Sequence, residues 1–200
     1  MLITVEGLDG AGKTTLIAAL ARELEGRGEP VLVLREPGGV EVSERIRALL
    51  ADPSLEIDPR AEALLYAAAR AQLVAQELRP LLEAGDTVLL DRFVDSSLAY
   101  QGAGRGLGVE RIRALNDFAT GGLRADRTLL LRIDPAAGLA RIGGREADRL
   151  EREDGGFFAA VAAAYDELAA AEPDRIAVID AAQRPEAVLA DALAALDGRP

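Results

Sequence analysis

Short apolar runs alternate with longer amphipathic stretches along the whole chain. Five runs predict strands: Leu2–Glu6, Val31–Arg35, Thr87–Leu90, Thr128–Ile133 and Arg175–Ile179. Most are apolar at successive positions, as expected of strands buried on both faces. Between them, alanine- and leucine-rich stretches repeat at helical spacing over Thr14–Leu24, Val42–Ala51, Ala61–Glu83, Val109–Ala119, Phe157–Ala171 and Pro185–Leu196. The alternation predicts an α/β fold: a doubly wound parallel sheet flanked by helices on both faces, in a single domain spanning 1–200. The alanine runs Ala159–Ala164 and Ala169–Ala171 read as helix formers, since alanine loses least on entering a helix.

Composition narrows the chemistry. No apolar run reaches the ~20 residues of a membrane-spanning helix, and no basic, apolar signal segment opens the chain. A cytoplasmic protein with no membrane partner is expected. Cysteine and histidine are both absent. Thiolate catalysis, imidazole bases and cysteine- or histidine-ligated metals are therefore excluded. The net charge of −11 argues against a nucleic-acid partner, which needs a broad basic surface. A small anion held by a few focused cations fits better. The chain has 22 arginines but one lysine, Lys13.

That lysine lies in Gly7-Leu8-Asp9-Gly10-Ala11-Gly12-Lys13-Thr14, a full G-x-x-x-x-G-K-[ST] string between a predicted strand and a predicted helix, followed by Thr15. The glycines let successive backbone N–H groups converge on phosphate oxygens, and the helix N-terminus adds its positive dipole end. Lys13 supplies a compact charge for the β- and γ-phosphates, and the Thr14 hydroxyl suits Mg²⁺. The alternative, a glycine-rich turn without ligand, leaves the placement of the single lysine unexplained. A guanine-specific switch is disfavoured, because the only asparagine, Asn116, precedes Asp117-Phe118 and not a lysine. A protein kinase lacks its His-Arg-Asp loop here.

The third strand runs into Asp91-Arg92. An aspartate at the carboxyl end of a buried strand can orient the Mg²⁺ water shell, and Arg92 beside it can clamp a phosphate with two parallel bonds.

Several strings in order resemble bacterial thymidylate kinase: Glu6–Thr15, Arg35-Glu36-Pro37-Gly38-Gly39, Asp91-Arg92 with Ser96-Ser97 and Ala99-Tyr100-Gln101-Gly102, and Asp148-Arg149-Leu150-Glu151. The resemblance implies a five-stranded parallel sheet, a mobile lid at about 141–153, Mg²⁺-ATP as donor, dTMP as acceptor and a homodimer. It makes Gly7 to Thr15 the ATP loop and gives Thr14 and Asp91 the metal. Tyr66 would stack on the thymine and Arg70, one turn later, would read a carbonyl edge. Arg92 would hold the dTMP phosphate, Ser97 and Gln101 would lie near the base edge, and Tyr100 would lie under the sugar. Asp9 would approach the sugar 3′-hydroxyl or the metal shell, and Arg35, Glu36 and Pro37 would join the acceptor pocket. A cis Glu36-Pro37 bond is compatible but not readable from sequence.

The resemblance also implies that the lid supplies an arginine, because Ala11 stands where some thymidylate kinases carry a basic residue. Arg141, Arg145 and Arg149 recur every four residues, which would align them on one helix face, with Gly143-Gly144 as a hinge. Without the resemblance, Tyr66 reads as a half-buried aromatic, Arg70 as a solvated helix charge and the arginine row as a salt-bridged surface. Gly102–Gly108 reads as a flexible loop, with Arg105 in reach of an anion. A kinase for another nucleoside monophosphate, or a non-catalytic ATP-binding module, remains open at this level.

Overall fold

A computed structural model describes residues 1–143 and 149–198. Its five strands are β1 (Leu2–Gly7), β2 (Val31–Arg35), β3 (Thr87–Asp91), β4 (Arg127–Arg132) and β5 (Ile176–Asp180). They form one sheet in the order β2-β3-β1-β4-β5, with every pairing parallel. Each expected strand is present, shifted by a residue at most. The apolar residues Ile3 and Val5 pack with Leu16, Ile17 and Leu20 of helix α1 (Lys13–Gly26). Leu2, Val88 and Leu90 lie in a separate core with Leu73, Val74 and Leu78, so successive residues of β1 serve opposite faces. Full coverage holds only for the central strands. On the edge strands Leu32, Val33 and Val178 stay 43–49% exposed, because an outermost strand lacks a neighbour on one side.

The remaining helices are α2 (Glu41–Ala51), α3 (Pro59–Leu73), α4 (Arg79–Glu83), α5 (Val94–Ser97), α6 (Val109–Thr120), α7 (Pro135–Ile142), α8 (Gly155–Ala171) and α9 (Pro185–Asp197). Caps explain several starts. Asp58, Asp134 and Asp154 accept from backbone N–H groups of the first turns of α3, α7 and α8, and Pro follows two of them at the position that needs no donor. The long helix expected over Ala61–Glu83 is helical throughout, but a π-helical turn at Val74–Leu78 joins α3 to α4. Pro80 lacks the N–H that would bond back to Gln76, and the wider register precedes it.

Two expectations need correction. Val94–Gly104 is helical, α5 running into a π-helical turn at Leu98–Gly104. The first glycines of the supposed loop are packing residues: a Cβ on Gly104 would stand 2.7 Å from the Phe157 ring. Second, the arginine row does not lie along one helix. Helix α7 ends at Ile142, with Gly143 in a non-helical conformation, and Arg149 sits in a turn beyond it. Arg145 lies outside the described residues.

Candidate active site

The carboxyl ends of β1 and β3 place the chemistry. After β1 the chain curls through Gly7 and Gly10, at φ +132° and +78°. A Cβ would lie 2.4 Å from the Leu131 carbonyl oxygen at Gly7 and 2.1 Å from that of Gly138 at Gly10. Only glycine allows this close approach. Helix α1 then opens at Lys13, leaving its first N–H groups directed into a cleft lined by Gly10 to Thr15, Arg35, Asp91, Arg92 and Arg141. Gly7 and Leu8 stand apart from this cleft: their carbonyls receive the Lys13 Nζ at 3.2 and 2.9 Å. Burial and the neighbouring Arg92 charge pull the Lys13 ammonium down to about 8, against the pull of Asp9, Asp91 and Glu6. An arriving phosphate would relieve both penalties.

Arg92 crosses between the loop and α5. It is the only non-glycine residue with positive φ among the described residues, at 65°, a conformation that persists only where the surroundings enforce it. Its Nη1 donates to the Gly7 carbonyl at 2.9 Å and the Ser96 hydroxyl at 3.1 Å. Nη2 donates to Asp9 Oδ1 at 2.5 Å, and the guanidinium lies 5.1 Å from the Tyr100 ring centroid. Burial alone would raise the Asp9 carboxyl, but Arg92 and Lys13 outweigh it and hold the group at about 2.

Glu6 was not foreseen as a site residue, although a carboxylate inside an apolar strand is itself a signal. Fully buried, it accepts from the Phe93 N–H at 2.7 Å and from the Ser96 and Tyr165 hydroxyls. It thereby anchors the start of α5, which carries Ser96 and Ser97. Burial raises its carboxyl above the ordinary value, with Asp95 adding to the effect.

Asp91 Oδ1 is buried without a hydrogen-bond partner and shares the cleft with Thr14. An orphaned carboxylate oxygen and a hydroxyl lining one cleft suit a hard cation. No cluster of three acidic ligands exists among the described residues, so Mg²⁺ would take its other oxygens from phosphates and water.

A second pocket adjoins the first. Asp9, Glu36, Pro37, Tyr66, Arg70, Arg92, Ser97, Tyr100 and Gln101 all line it. Arg35 does not: it is half exposed, pairs with Glu44 at 2.7 Å and faces the phosphate-loop cleft. The Glu36-Pro37 peptide is cis. Arg70 is 2% exposed, so the solvated-charge reading fails. Its Nε donates to Glu36 Oε2 at 2.6 Å, Nη1 to Ser97 Oγ at 2.9 Å and to Asn116 Oδ1, and Nη2 to the Phe93 carbonyl at 2.9 Å. Glu36 Oε1 is buried with no partner, and burial pushes this carboxyl up to about 7 despite Arg70.

Arg47 lines both pockets and donates to the Pro37 carbonyl at 2.9 Å. Nothing in the sequence distinguishes it from the other arginines. Arg141 Nη1 donates to the Ala181 carbonyl at 3.0 Å and approaches that of Gly10 at 3.5 Å. Arg149 instead turns toward the second pocket, donating to the Leu50 carbonyl at 3.1 Å and pairing with Glu62 at 2.6 Å. Arg105, expected to reach an anion, is held by Glu62 and Glu153 of the protein itself.

A parallel sheet with a phosphate loop after β1, an acidic strand end at β3 and a second pocket sharing Asp9 and Arg92 defines a P-loop nucleotide-binding protein. The family model for thymidylate kinase matches residues 5–192. The chain is 48% identical over 200 residues to the thymidylate kinase of Deinococcus radiodurans, covering 100% of this chain and 97% of that protein. To the Lactobacillus delbrueckii subsp. bulgaricus enzyme it is 50% identical over 187 residues, covering 90% and 88%. The crystal structure of thymidylate kinase from Ehrlichia chaffeensis superposes with a TM-score of 0.80 at 30% identity, covering 98% of each chain. The chain belongs to the thymidylate kinase family.

Proposed function

We propose that this chain transfers the γ-phosphoryl group of ATP to dTMP, giving ADP and dTDP, a step in dTTP biosynthesis. The carrying observation is that the phosphate-loop cleft and the aromatic-lined pocket meet at Asp9, Glu36, Arg47 and Arg92, so two anionic substrates can face one another across shared arginines. ATP phosphates would lie against the N–H groups of Gly10 to Thr15 and the Lys13 ammonium. Thymidylate would occupy the second pocket, with its ring against Tyr66, its base edge toward Arg70, Ser97 and Gln101, its sugar over Tyr100 and its phosphate toward Arg92.

In the transfer, a bond forms between an acceptor phosphate oxygen and the γ-phosphorus while the bond to the β-bridging oxygen breaks, its electron pair leaving with ADP. The acceptor oxygen belongs to an ionised phosphate and needs no general base. The work of the protein is therefore placement and charge neutralisation. Asp9 and Tyr100 hold Arg92 in the crevice before substrate arrives, so little reorganisation is required of it. Mg²⁺, held near Thr14 and Asp91, would neutralise charge between the β- and γ-phosphates when bound. Arginines of the lid segment at about 141–153 supply further positive charge, with Arg141 beside the phosphate loop, and lid closure would exclude water.

A homodimer fits four exposed apolar side chains on three helices, Val42 and Leu49 of α2, Leu64 of α3 and Phe118 of α6, the last 90% exposed. No helix of the described residues is long and apolar enough to cross a membrane, and a cytoplasmic location accords with the substrates. A coupled assay with ATP, Mg²⁺ and a panel of deoxynucleoside monophosphates tests the activity. Turnover with dTMP well above dCMP and dGMP is expected. Preference for another acceptor, or nucleotide binding without transfer, overturns the reading.

A further inference from the structure

Glu62 of α3 is completely buried, and nothing in the phosphate chemistry requires it. Its Oε1 accepts from Gln101 Nε2 at 2.9 Å and Arg105 Nε at 3.2 Å. Its Oε2 accepts from Arg105 Nη2 at 3.0 Å and stands 2.6 Å from Arg149 Nη2. A carboxylate paired with two guanidinium groups offers only acceptors. The Gln101 amide beside it is therefore fixed: its NH₂ must face Glu62, because the reverse orientation sets oxygen lone pairs against each other. Gln101 is almost wholly buried and lines the acceptor pocket, and with its NH₂ turned to Glu62 its Oε1 is the end of the amide left for that pocket. The pocket thus meets a carbonyl acceptor at this residue.

Arg70 lines the same pocket and can only donate. Four of its five N–H groups are engaged, which leaves one on Nη2. The base edge therefore encounters one spare donor and one oriented acceptor. Thymine and uracil carry a carbonyl at C4 beside an N–H at N3, which complements both. Cytosine carries an amino group at C4 and a bare N3, which opposes both.

We propose that Glu62 is a positioning residue that excludes cytosine nucleotides by locking the Gln101 amide in one orientation; this rests on the reading of the pocket as the acceptor site. Replacing the carboxylate by an amide, Glu62→Gln, gives Gln101 a partner that can donate or accept and so releases the lock. At saturating ATP, the ratio of kcat/KM for dCMP to that for dTMP should rise about tenfold, the order expected for one misdirected hydrogen bond. The dUMP to dTMP ratio should stay unchanged, since those bases share the same edge. An equal loss on all three substrates would mark Glu62 as merely structural and overturn the inference.

Gln101→Leu separates the two layers. If it leaves the dCMP to dTMP ratio at the wild-type value, the placement of Gln101 at the base is wrong. If it raises that ratio and Glu62→Gln does not, only the role of Glu62 fails. Should Glu62→Gln not fold, as judged by its melting curve, the wild-type protein still decides. The side-chain NH₂ protons of Gln101 should resist solvent exchange by NMR with and without dTMP, and free exchange in both states overturns the proposal.

Discussion

Replacing Glu36 by glutamine tests the electrostatics of the acceptor pocket. The carboxylate and its partner Arg70 are 3% and 2% exposed, and a buried ion pair is stabilising only when its attraction exceeds the desolvation of both charges. Here it does not: burial holds the Glu36 carboxyl at about 7 against an ordinary 4.5 even with Arg70 in contact. Arg70 meanwhile has three other acceptors and lies 5.5 Å from the Phe93 ring centroid, so it is not stranded when Glu36 is neutral. The folded value exceeds the unfolded one, so the protonated form is favoured by folding. That contribution is complete below pH 4.5 and is lost as pH rises through about 7. Glu36→Gln imitates the neutral form at every pH. Between pH 5 and pH 8 the variant should therefore gain roughly 2–3 kcal/mol of unfolding free energy relative to wild type, at about 1.4 kcal/mol for each tenfold difference in proton affinity between the folded and unfolded chains. Urea denaturation of both proteins at the two pH values measures this directly. A constant difference, or wild type gaining as pH rises, would refute the claim that burial dominates at this site.

Further outcomes follow from the phosphate-loop cleft. Lys13→Ala should remain folded, since among the described residues Nζ contacts only two loop carbonyls and Asp9, yet lose at least about a hundredfold in kcat/KM as a preorganised cation is removed; steady-state kinetics with near-normal turnover would contradict this. The Lys13 ammonium is depressed to about 8, so kcat/KM for ATP should fall as pH rises through about 8, while the corresponding limb of kcat moves upward because bound phosphate favours the ammonium. Arg141→Ala should lower kcat more than Arg149→Ala, because Arg141 sits beside Gly10 whereas Arg149 is paired with Glu62; equal effects in single-turnover assays would contradict the separation.

The sheet was legible because its strands are apolar runs and its helices repeat at a different period, so the two element types do not imitate each other. The phosphate loop was legible for a local reason: glycines, lysine and threonine act within eight consecutive positions. Helix α5 and its π-helical extension were not, because Ser96–Gly104 has no apolar stripe and contains two glycines. Its geometry is imposed from outside, by Glu6 on the Phe93 N–H and by Phe157 against Gly104. The burial of Arg70 was hidden for a similar reason: its partners Glu36, Ser97 and Asn116 lie 27 to 46 residues away in sequence. The arginine row misled because spacing of four signals a shared face only while the helix continues, and α7 stops at Ile142. Of the acceptor residues expected from the family strings, only Arg35 fell outside the pocket, drawn off by Glu44.

The central claim is that one crevice holds both anions closely enough for direct transfer, with no phosphorylated protein between them. Turnover of ATP made stereochemically chiral at the γ-phosphorus, with analysis of the dTDP formed, tests this most directly. A single displacement predicts inversion of configuration, and retention would contradict the account by requiring a second displacement through an enzyme-bound phosphoryl group.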